Sequence, residues 1–360
     1  MHSNHWQEQL HAGTATQYSS DDSLQHFMMS LSDKPGDSNF DPSNPFASAS
    51  PLLFLEEQGL ARRFEALGAH TTMKVGGRAL WWAEPENEEQ LRAVLQAAQE
   101  TGVRLQLFGA GSNLVAADND FKGLALKLGQ GFAWYRVEDN RLVAGGAMML
   151  PKLTHVTNQN RLGNFEWACG IPGTLGGSIW GNAGARGFNG QGFESRDAAA
   201  DLESLVAFDH EGNRHCLQRD EIEFSYRRSS LGELIVVEAT FNLKPLSEDE
   251  ARTHKEAITQ LLKIRRETQP VNAASSGCIW KNPNLQDGPF AGCGAGALIE
   301  KLGLKGHASG KAMISDIHAN FIVNTGGATG DDVRALMASV EQIVLEEVGV
   351  RLEREARLLD

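Results

Sequence analysis

The 360-residue chain has little positive charge: 33 Lys and Arg stand against 46 Asp and Glu, a formal net charge of -13. That balance argues against a nucleic-acid or anionic-membrane surface, either of which needs a basic field. It leaves any anionic ligand to be held by a few local cations and by main-chain donors. Cysteine is scarce too. The four present (Cys169, Cys216, Cys278 and Cys293) form no CxxC pair and no regular framework, which fits free thiols in a reducing compartment rather than a disulfide scaffold. No apolar run approaches the roughly 18 residues that a bilayer-spanning helix needs. Met1 to about Gly13 lacks the basic start and apolar core of a secretory signal. No internal repeat is visible. The expectation is a soluble, cytoplasmic protein.

Residues 1–50 are poor in aliphatics and rich in Ser, Asp, Asn, Gln and His, the composition of a disordered extension whose removal leaves ligand binding intact. His2, His5 and His11 have a single acidic residue, Glu8, among them and no Cys to complete a metal site, and no metal is expected. From about Pro51 the composition becomes globular. Leu91, Val94, Leu95 and Ala98 at helical spacing predict an amphipathic helix within 86–101. Strand-like runs follow at 104–108, 124–128, 133–137 and 141–144, then a helix over 149–160. Sheet-like alternation over 200–245 turns at His210-Glu211-Gly212-Asn213. A charged helix over 248–267 marks a boundary. Thr329 with Asp332 three residues on predicts a helix N-cap, and Gly349 ends that helix. Val350–Leu359 reads as a final strand. The fold class is α+β.

What the chain does have is glycine in two dense clusters. Gly170-Ile171-Pro172-Gly173-Thr174-Leu175-Gly176-Gly177-Ser178-Ile179-Trp180-Gly181-Asn182-Ala183-Gly184-Ala185 holds six glycines in sixteen positions, too many for a helix interior or an ordinary strand. Upstream, Gly109-Ala110-Gly111-Ser112-Asn113-Leu114 directly follows the strand-like Leu105–Phe108. Such loops let a main chain turn sharply and present its N–H groups to a phosphorylated ligand, so the pair reads as one dinucleotide held from two sides. Neither fits GxGxxG with an acidic residue about twenty positions later, as a Rossmann site would.

Eight motifs, in order, resemble those of the UDP-N-acetylenolpyruvoylglucosamine reductase family. They are His70-Thr71-Thr72-Met73-Lys74-Val75-Gly76-Gly77; Gly109 to Leu114; Glu166 followed by 170–187; Tyr226-Arg227-Arg228-Ser229; Arg266-Glu267-Thr268-Gln269-Pro270; Gly277-Cys278-Ile279-Trp280-Lys281-Asn282-Pro283; His318-Ala319-Asn320-Phe321-Ile322-Val323-Asn324; and Leu352-Glu353-Arg354-Glu355-Ala356-Arg357. The resemblance covers about residues 60–360. It implies a two-part FAD-binding region of the vanillyl-alcohol-oxidase type over 51–247 and a smaller α/β substrate domain over 248–360, whose last strand brings Glu355 to the active site. FAD is expected to be noncovalent, His70 notwithstanding, with NADPH as co-substrate. Oligomeric state is expected to be a monomer or weak oligomer, with no nucleic-acid or membrane partner.

The resemblance also assigns residues. Gly109, Ala110, Gly111, Ser112, Asn113, Gly170, Ile171, Pro172, Gly173, Thr174, Gly176, Gly177, Asn182 and Ala183 would hold the cofactor. Tyr226, Ser229, Lys281 and Asn282 would bind the UDP-sugar. Arg227, Cys278 and Glu355 would be catalytic. The expected substrate is an enol ether conjugated to a carboxylate, whose reduction takes a hydride at the methylene carbon and a proton at its neighbour. An always-charged, two-pronged guanidinium suits the carboxylate. A glutamate pressed against an enolate makes sense when protonated, so a raised pKa is expected there. The family usually places serine where this chain has Cys278; a thiol keeps the acid role and gives its proton up more easily. Ser315 and His318 fall in a shared motif without an assigned role, and 187–199 reads by composition as a loop over the site. The rival readings are an oxidase of the same FAD-binding superfamily, disfavoured by the Cys278 and Glu355 motifs, and a silent flavin- or UDP-sugar-binding protein, disfavoured by retention of all three polar chemical positions.

Overall fold

The computed structural model describes residues 50–360; the expected extension and its histidines lie outside the described residues. Three sheets, each with a hydrophobic face to bury, organise the chain into an α+β fold. The first has the order Ala61–Ala66, Arg78–Ala83, Phe121–Lys127, Leu105–Phe108, its last three strands parallel. A parallel connection needs a crossover, and helix Glu88–Thr101 supplies it. Asn87 caps that helix by accepting from Gln90 N, and Gly102 ends it in the left-handed conformation (φ 63°).

The second sheet is antiparallel: Arg214–Gln218, Leu202–Phe208, Ile235–Asn242, Arg141–Gly145, Tyr135–Glu138. Alternation along its strands splits its side chains between two cores. Val206, Phe208, Ile235 and Val237 meet Trp81, Leu91, Leu95 and Leu124 of the first layer. Leu142, Ala144, Leu205 and Ala239 instead pack under helices Leu150–Gln159 and Leu175–Trp180. The second glycine cluster is thereby seated on the far side of this sheet.

The third sheet, Ala274–Cys278, Phe321–Asn324, Ala312–Ile314, Ala308–Ser309, packs with helices Ala295–Lys301 and Gly330–Val348 around Trp280, Leu298, Ile322, Leu336 and Val340. Thr329 and Asp332 form the expected capping box, and Gly349 (φ 74°) the expected stop. Two expectations change. The final strand is only Arg357–Leu359, running parallel to Leu114–Ala116; Glu355 sits in the link between a single bridge, Trp280 with Arg354, and that strand. The segment 187–199 is part of a β-hairpin, Gly184–Phe188 with Phe193–Asp197. Its strands pair with each other, so small polar residues do not leave it a loop.

Helix Glu248–Thr268 opens on a capping box at Ser247 and Glu250 and is locked to the second glycine cluster by a buried pair. His254 Nδ1 lies 2.6 Å from Glu166 Oε1, the two side chains 2% and 3% exposed. Removing one partner would strand the other without solvent. Glu166→Ala is therefore expected to lower stability by about 3 kcal/mol in chemical denaturation, and Glu166→Gln by clearly less.

Among the described residues no helix is long and apolar enough to cross a membrane, and no cluster of His, Cys, Asp or Glu is placed to hold a metal.

Candidate active site

The first glycine loop emerges from strand Leu105–Phe108 with its amides unspent. Among the described residues, the N–H groups of Gly109, Ala110, Gly111, Ser112 and Asn113 donate to no protein acceptor. Successive free amides in a tight turn form an anion-binding concavity. The turn depends on Gly111 at φ 63°, where a Cβ would lie 2.0 Å from His70 O. Thr72 braces it: its amide donates to Gly111 O (3.1 Å) and its hydroxyl to Ser275 O (2.6 Å), linking the loop to the third sheet. The residues thus fit a dinucleotide whose pyrophosphate needs donors more than cations.

In the second cluster most amides are already spent within the protein. Ile171 N donates to Ala168 O, Gly173 N to Ile171 O, Leu175 N to Met148 O and Gly176 N to Gly146 O. Gly177 N is taken by Thr174 Oγ1, the cap of helix Leu175–Trp180. These glycines serve close packing: a Cβ at Gly176 would lie 2.8 Å from Val236 O, and one at Gly109 2.7 Å from Thr174 Oγ1. The cluster holds the first loop from behind. Asn182 is spent the same way, with Nδ2 on Asp197 and Ser225 O and Oδ1 accepting from Ala199 N. Pro172 and Ala183 lie within the same braced stretch, Ala183 N donating to Ser178 O.

Arg227 occupies the two-residue turn between the short strands Phe224–Ser225 and Arg228–Ser229, at φ 56°. A non-glycine residue held there is strained, a cost that concentrates at functional sites. The strain aims the guanidinium inward: Nη2 donates to Gly184 O (3.0 Å), and Nε lies 2.7 Å from Glu355 Oε1, an ion pair whose angle does not complete a hydrogen bond. Tyr226, beside it, is 56% exposed with its ring 5.4 Å from Arg227 Cζ. Ser229 Oγ donates to Trp180 O (2.6 Å) and so fixes the turn.

Cys278 ends strand Ala274–Cys278, and Glu355 is registered beside it. Glu355 N and Ala356 N both donate to Ile279 O, the residue after the thiol. Asn113 Nδ2 in turn donates to Glu355 O (3.1 Å), and Arg357 N to Asn113 O (3.0 Å). Gly277, at φ 75°, faces the first loop with its Cβ position 3.7 Å from Ser112 O. Arg227, Cys278 and Glu355, 128 residues apart at their extremes by number, therefore converge against the free-amide loop.

Burial pushes the Glu355 carboxyl up, against the pull of Arg227 and Lys281. Burial, then the Glu355 charge, push the Cys278 thiol up to about 12, with Arg227 and Arg265 opposing. Both groups are thus held toward their protonated forms. Lys281 pairs with Glu353 and Asn282 Oδ1 accepts from Ala295 N, so in this structure both organise the loop after Cys278. Ser315 and His318 are turn-makers: Ser315 Oγ accepts from Ile317 N and His318 N, and His318 Nδ1 from Asn320 N. His70 stacks on Trp82 at 3.9 Å and holds Glu65 at 2.6 Å.

Sequence reading missed Arg265. It lies on the buried stripe of helix Glu248–Thr268, after His254, Ala257 and Leu261. A charge continuing an apolar stripe is the signal that would have found it.

Comparison with known proteins shows the family. Residues 80–202 fit the "FAD binding domain" family and residues 269–359 the "UDP-N-acetylenolpyruvoylglucosamine reductase, C-terminal domain" family. The chain is 38% identical over 312 residues to the UDP-N-acetylenolpyruvoylglucosamine reductase of Synechococcus sp. (strain WH7803), covering 86% of this chain and 96% of that protein. It is 36% identical to that of Anoxybacillus flavithermus, covering 84% and 95%. The crystal structure of the Thermus caldophilus enzyme superposes with a TM-score of 0.66 at 31% identity, over 82% of this chain and 97% of that one. The fold is accordingly a two-part FAD-binding region with a smaller C-terminal α/β domain, and the chain belongs to the UDP-N-acetylenolpyruvoylglucosamine reductase family of FAD-dependent oxidoreductases.

Proposed function

We propose that the protein reduces UDP-N-acetylglucosamine enolpyruvate to UDP-N-acetylmuramate with NADPH as the electron source, a cytoplasmic step in making peptidoglycan precursor. The observation that carries this reading is the convergence of Arg227, Cys278 and Glu355 on the Gly109–Asn113 amides. Those amides would hold the pyrophosphate of a noncovalently bound FAD, which would supply the hydride; everything else falls to the chain. We assign residues 51–247 to the cofactor and 248–360 to the substrate. Tyr226 offers an exposed ring beside Arg227, and Lys281 and Asn282 would meet the UDP-sugar once their loop contacts yield.

Arg227 binds the substrate carboxylate and holds the charge that develops there after hydride addition. To do so it turns from Glu355. Losing its cation and gaining an anionic neighbour, the buried Glu355 carboxyl takes up a proton and can donate to the enolate oxygen. Cys278 then gives its thiol proton to the neighbouring carbon.

Two measurements follow. Anaerobic stopped-flow of the NADPH-reduced protein at the flavin band should show fast oxidation on mixing with the enolpyruvate substrate; oxidation by oxygen alone, indifferent to that substrate, would replace this reading with the oxidase. Titration calorimetry in buffers of different ionisation enthalpy should show proton uptake on substrate binding near neutral pH, abolished in Glu355→Gln. The sign follows from the carboxyl pKa rising on binding; proton release, or uptake unchanged in the variant, would remove Glu355 from that role.

A further inference from the structure

One carboxylate holds the residue two places after Cys278 and the residue just before Glu355. Glu341 lies on helix Gly330–Val348 and is half-buried. Its side chain accepts from three donors: Trp280 Nε1 donates to Oε1 (2.9 Å), Arg354 Nε to the same oxygen (2.6 Å) and Arg354 Nη2 to Oε2 (2.7 Å). The Trp280 side chain is fully buried, so its N–H needs an acceptor within the protein. The Arg354 fork meets the carboxylate in a two-pronged geometry that fixes direction as well as distance. An exposed ion pair alone adds little to stability; this one shares its carboxylate with a buried indole.

The main chain joins the same two segments. Trp280 and Arg354 form a bridge, Lys281 N donates to Glu353 O (2.8 Å), and Glu355 N and Ala356 N donate to Ile279 O (2.8 and 3.1 Å). On its other side the Trp280 backbone is clasped by the buried Asn320, whose Oδ1 accepts from Trp280 N (2.9 Å) and whose Nδ2 donates to Trp280 O (2.8 Å). That clasp fixes the end of the Cys278 strand against its sheet neighbour, Phe321–Asn324. Glu355 lies outside any strand, so its place relative to the thiol depends on the cross-links from Trp280 and Ile279.

The two acids must meet one small substrate unit together, the carboxyl on the enolate oxygen and the thiol on the carbon beside it. A misplacement of about 1 Å at such a site can cost about 100-fold in rate. We propose that Glu341 is a positioning residue for the reduction. By holding the Trp280 indole and the Arg354 guanidinium on one carboxylate, it sets the Glu355 link against the end of the Cys278 strand, and acts through these chain neighbours. This rests on the reading of Cys278 and Glu355 as the acids of the reaction.

The test compares flavin-loaded Glu341→Ala, Glu341→Gln and Arg354→Met with the native protein. Oxidation of the reduced flavin at saturating enolpyruvate substrate should slow about tenfold in Glu341→Ala, with KM and the rate of reduction by NADPH unchanged. Glu341→Gln should lose less, because its amide oxygen still accepts from the Trp280 indole. Arg354→Met, a change at an exposed side chain, should slow the same step. Added to Glu341→Ala it should cost nothing more, since both remove one tie. Hydrogen exchange read by mass spectrometry should quicken about tenfold across 353–357 in Glu341→Ala while helix Gly330–Val348 stays protected. Native exchange across 353–357, or a native oxidation rate per bound flavin, overturns the proposal. So does equal slowing of both half-reactions, or faster exchange throughout the helix, either of which would make Glu341 a matter of general stability. Failure of the underlying reading looks different: the native protein itself would then show no substrate-dependent oxidation.

Discussion

Cys278→Ala is expected to slow substrate-dependent oxidation of the reduced enzyme by about 100-fold or more, while reduction by NADPH proceeds at the native rate. Loss of a positioned general acid typically removes a factor of about 10²–10⁴. Here no neighbour stands in for it. Glu355, the adjacent acid, is committed to the enolate side, and its backbone is pinned to Ile279 and Asn113. The half-reactions separate the roles, because hydride delivery into the flavin does not involve the thiol. Cys278→Ser should keep most of the rate, since the hydroxyl has the same reach from the end of the same strand and sits beside the same Glu355 and Arg227. With the free thiol held at about 12, the native enzyme should show no loss of the acid until well into alkaline pH: the donor is protonated below its pKa and lost as pH rises through it. Native-rate oxidation in Cys278→Ala, with flavin content matched, would take the cysteine out of the mechanism.

The site was legible in the sequence where it consists of side chains in local patterns, and illegible where it consists of backbone or of partners. Thr329 and Gly349 announced their caps because capping is a property of four or five adjacent residues. Arg227, Cys278 and Glu355 were named from their motifs, yet nothing local states that Glu355 N bonds Ile279 O. The tail strand failed for the same reason: Val350–Leu359 has a strand's composition, but only Arg357–Leu359 forms a strand, beside Leu114–Ala116, while Arg354 makes a single bridge to Trp280. Glycine density identified both loops and could not tell their roles apart. The difference lies in where the amides go, mostly to protein acceptors in the second cluster and to none in Gly109–Asn113. Arg265 was passed over because a helix read for its apolar stripe hides a charge that continues it.

Gly111→Ala is expected to yield protein largely free of flavin, with affinity lowered about 100-fold or more. Two penalties coincide at this residue. At φ 63° an added Cβ meets the left-handed penalty of about 1–2 kcal/mol. It also lands 2.0 Å from His70 O, a backbone atom that cannot rotate away as a side chain would. The loop must shift, and the five free amides that converge from Gly109 to Asn113 shift with it. Loss of two charge-assisted hydrogen bonds to a phosphate, at about 1.5–3 kcal/mol each, suffices for the predicted fall. Gly59→Ala is the matched control. Gly59 has nearly the same φ, 72°, but nothing within 4 Å of its Cβ position, so it carries the conformational penalty without the collision. If the free amides hold the pyrophosphate, Gly59→Ala should lose a little thermal stability and keep its flavin, whereas Gly111→Ala should lose flavin out of proportion to stability, by absorbance ratio and by reconstitution titration. Equal flavin content in the two variants would mean that the loop's conformation is incidental to binding, and would move the pyrophosphate site elsewhere.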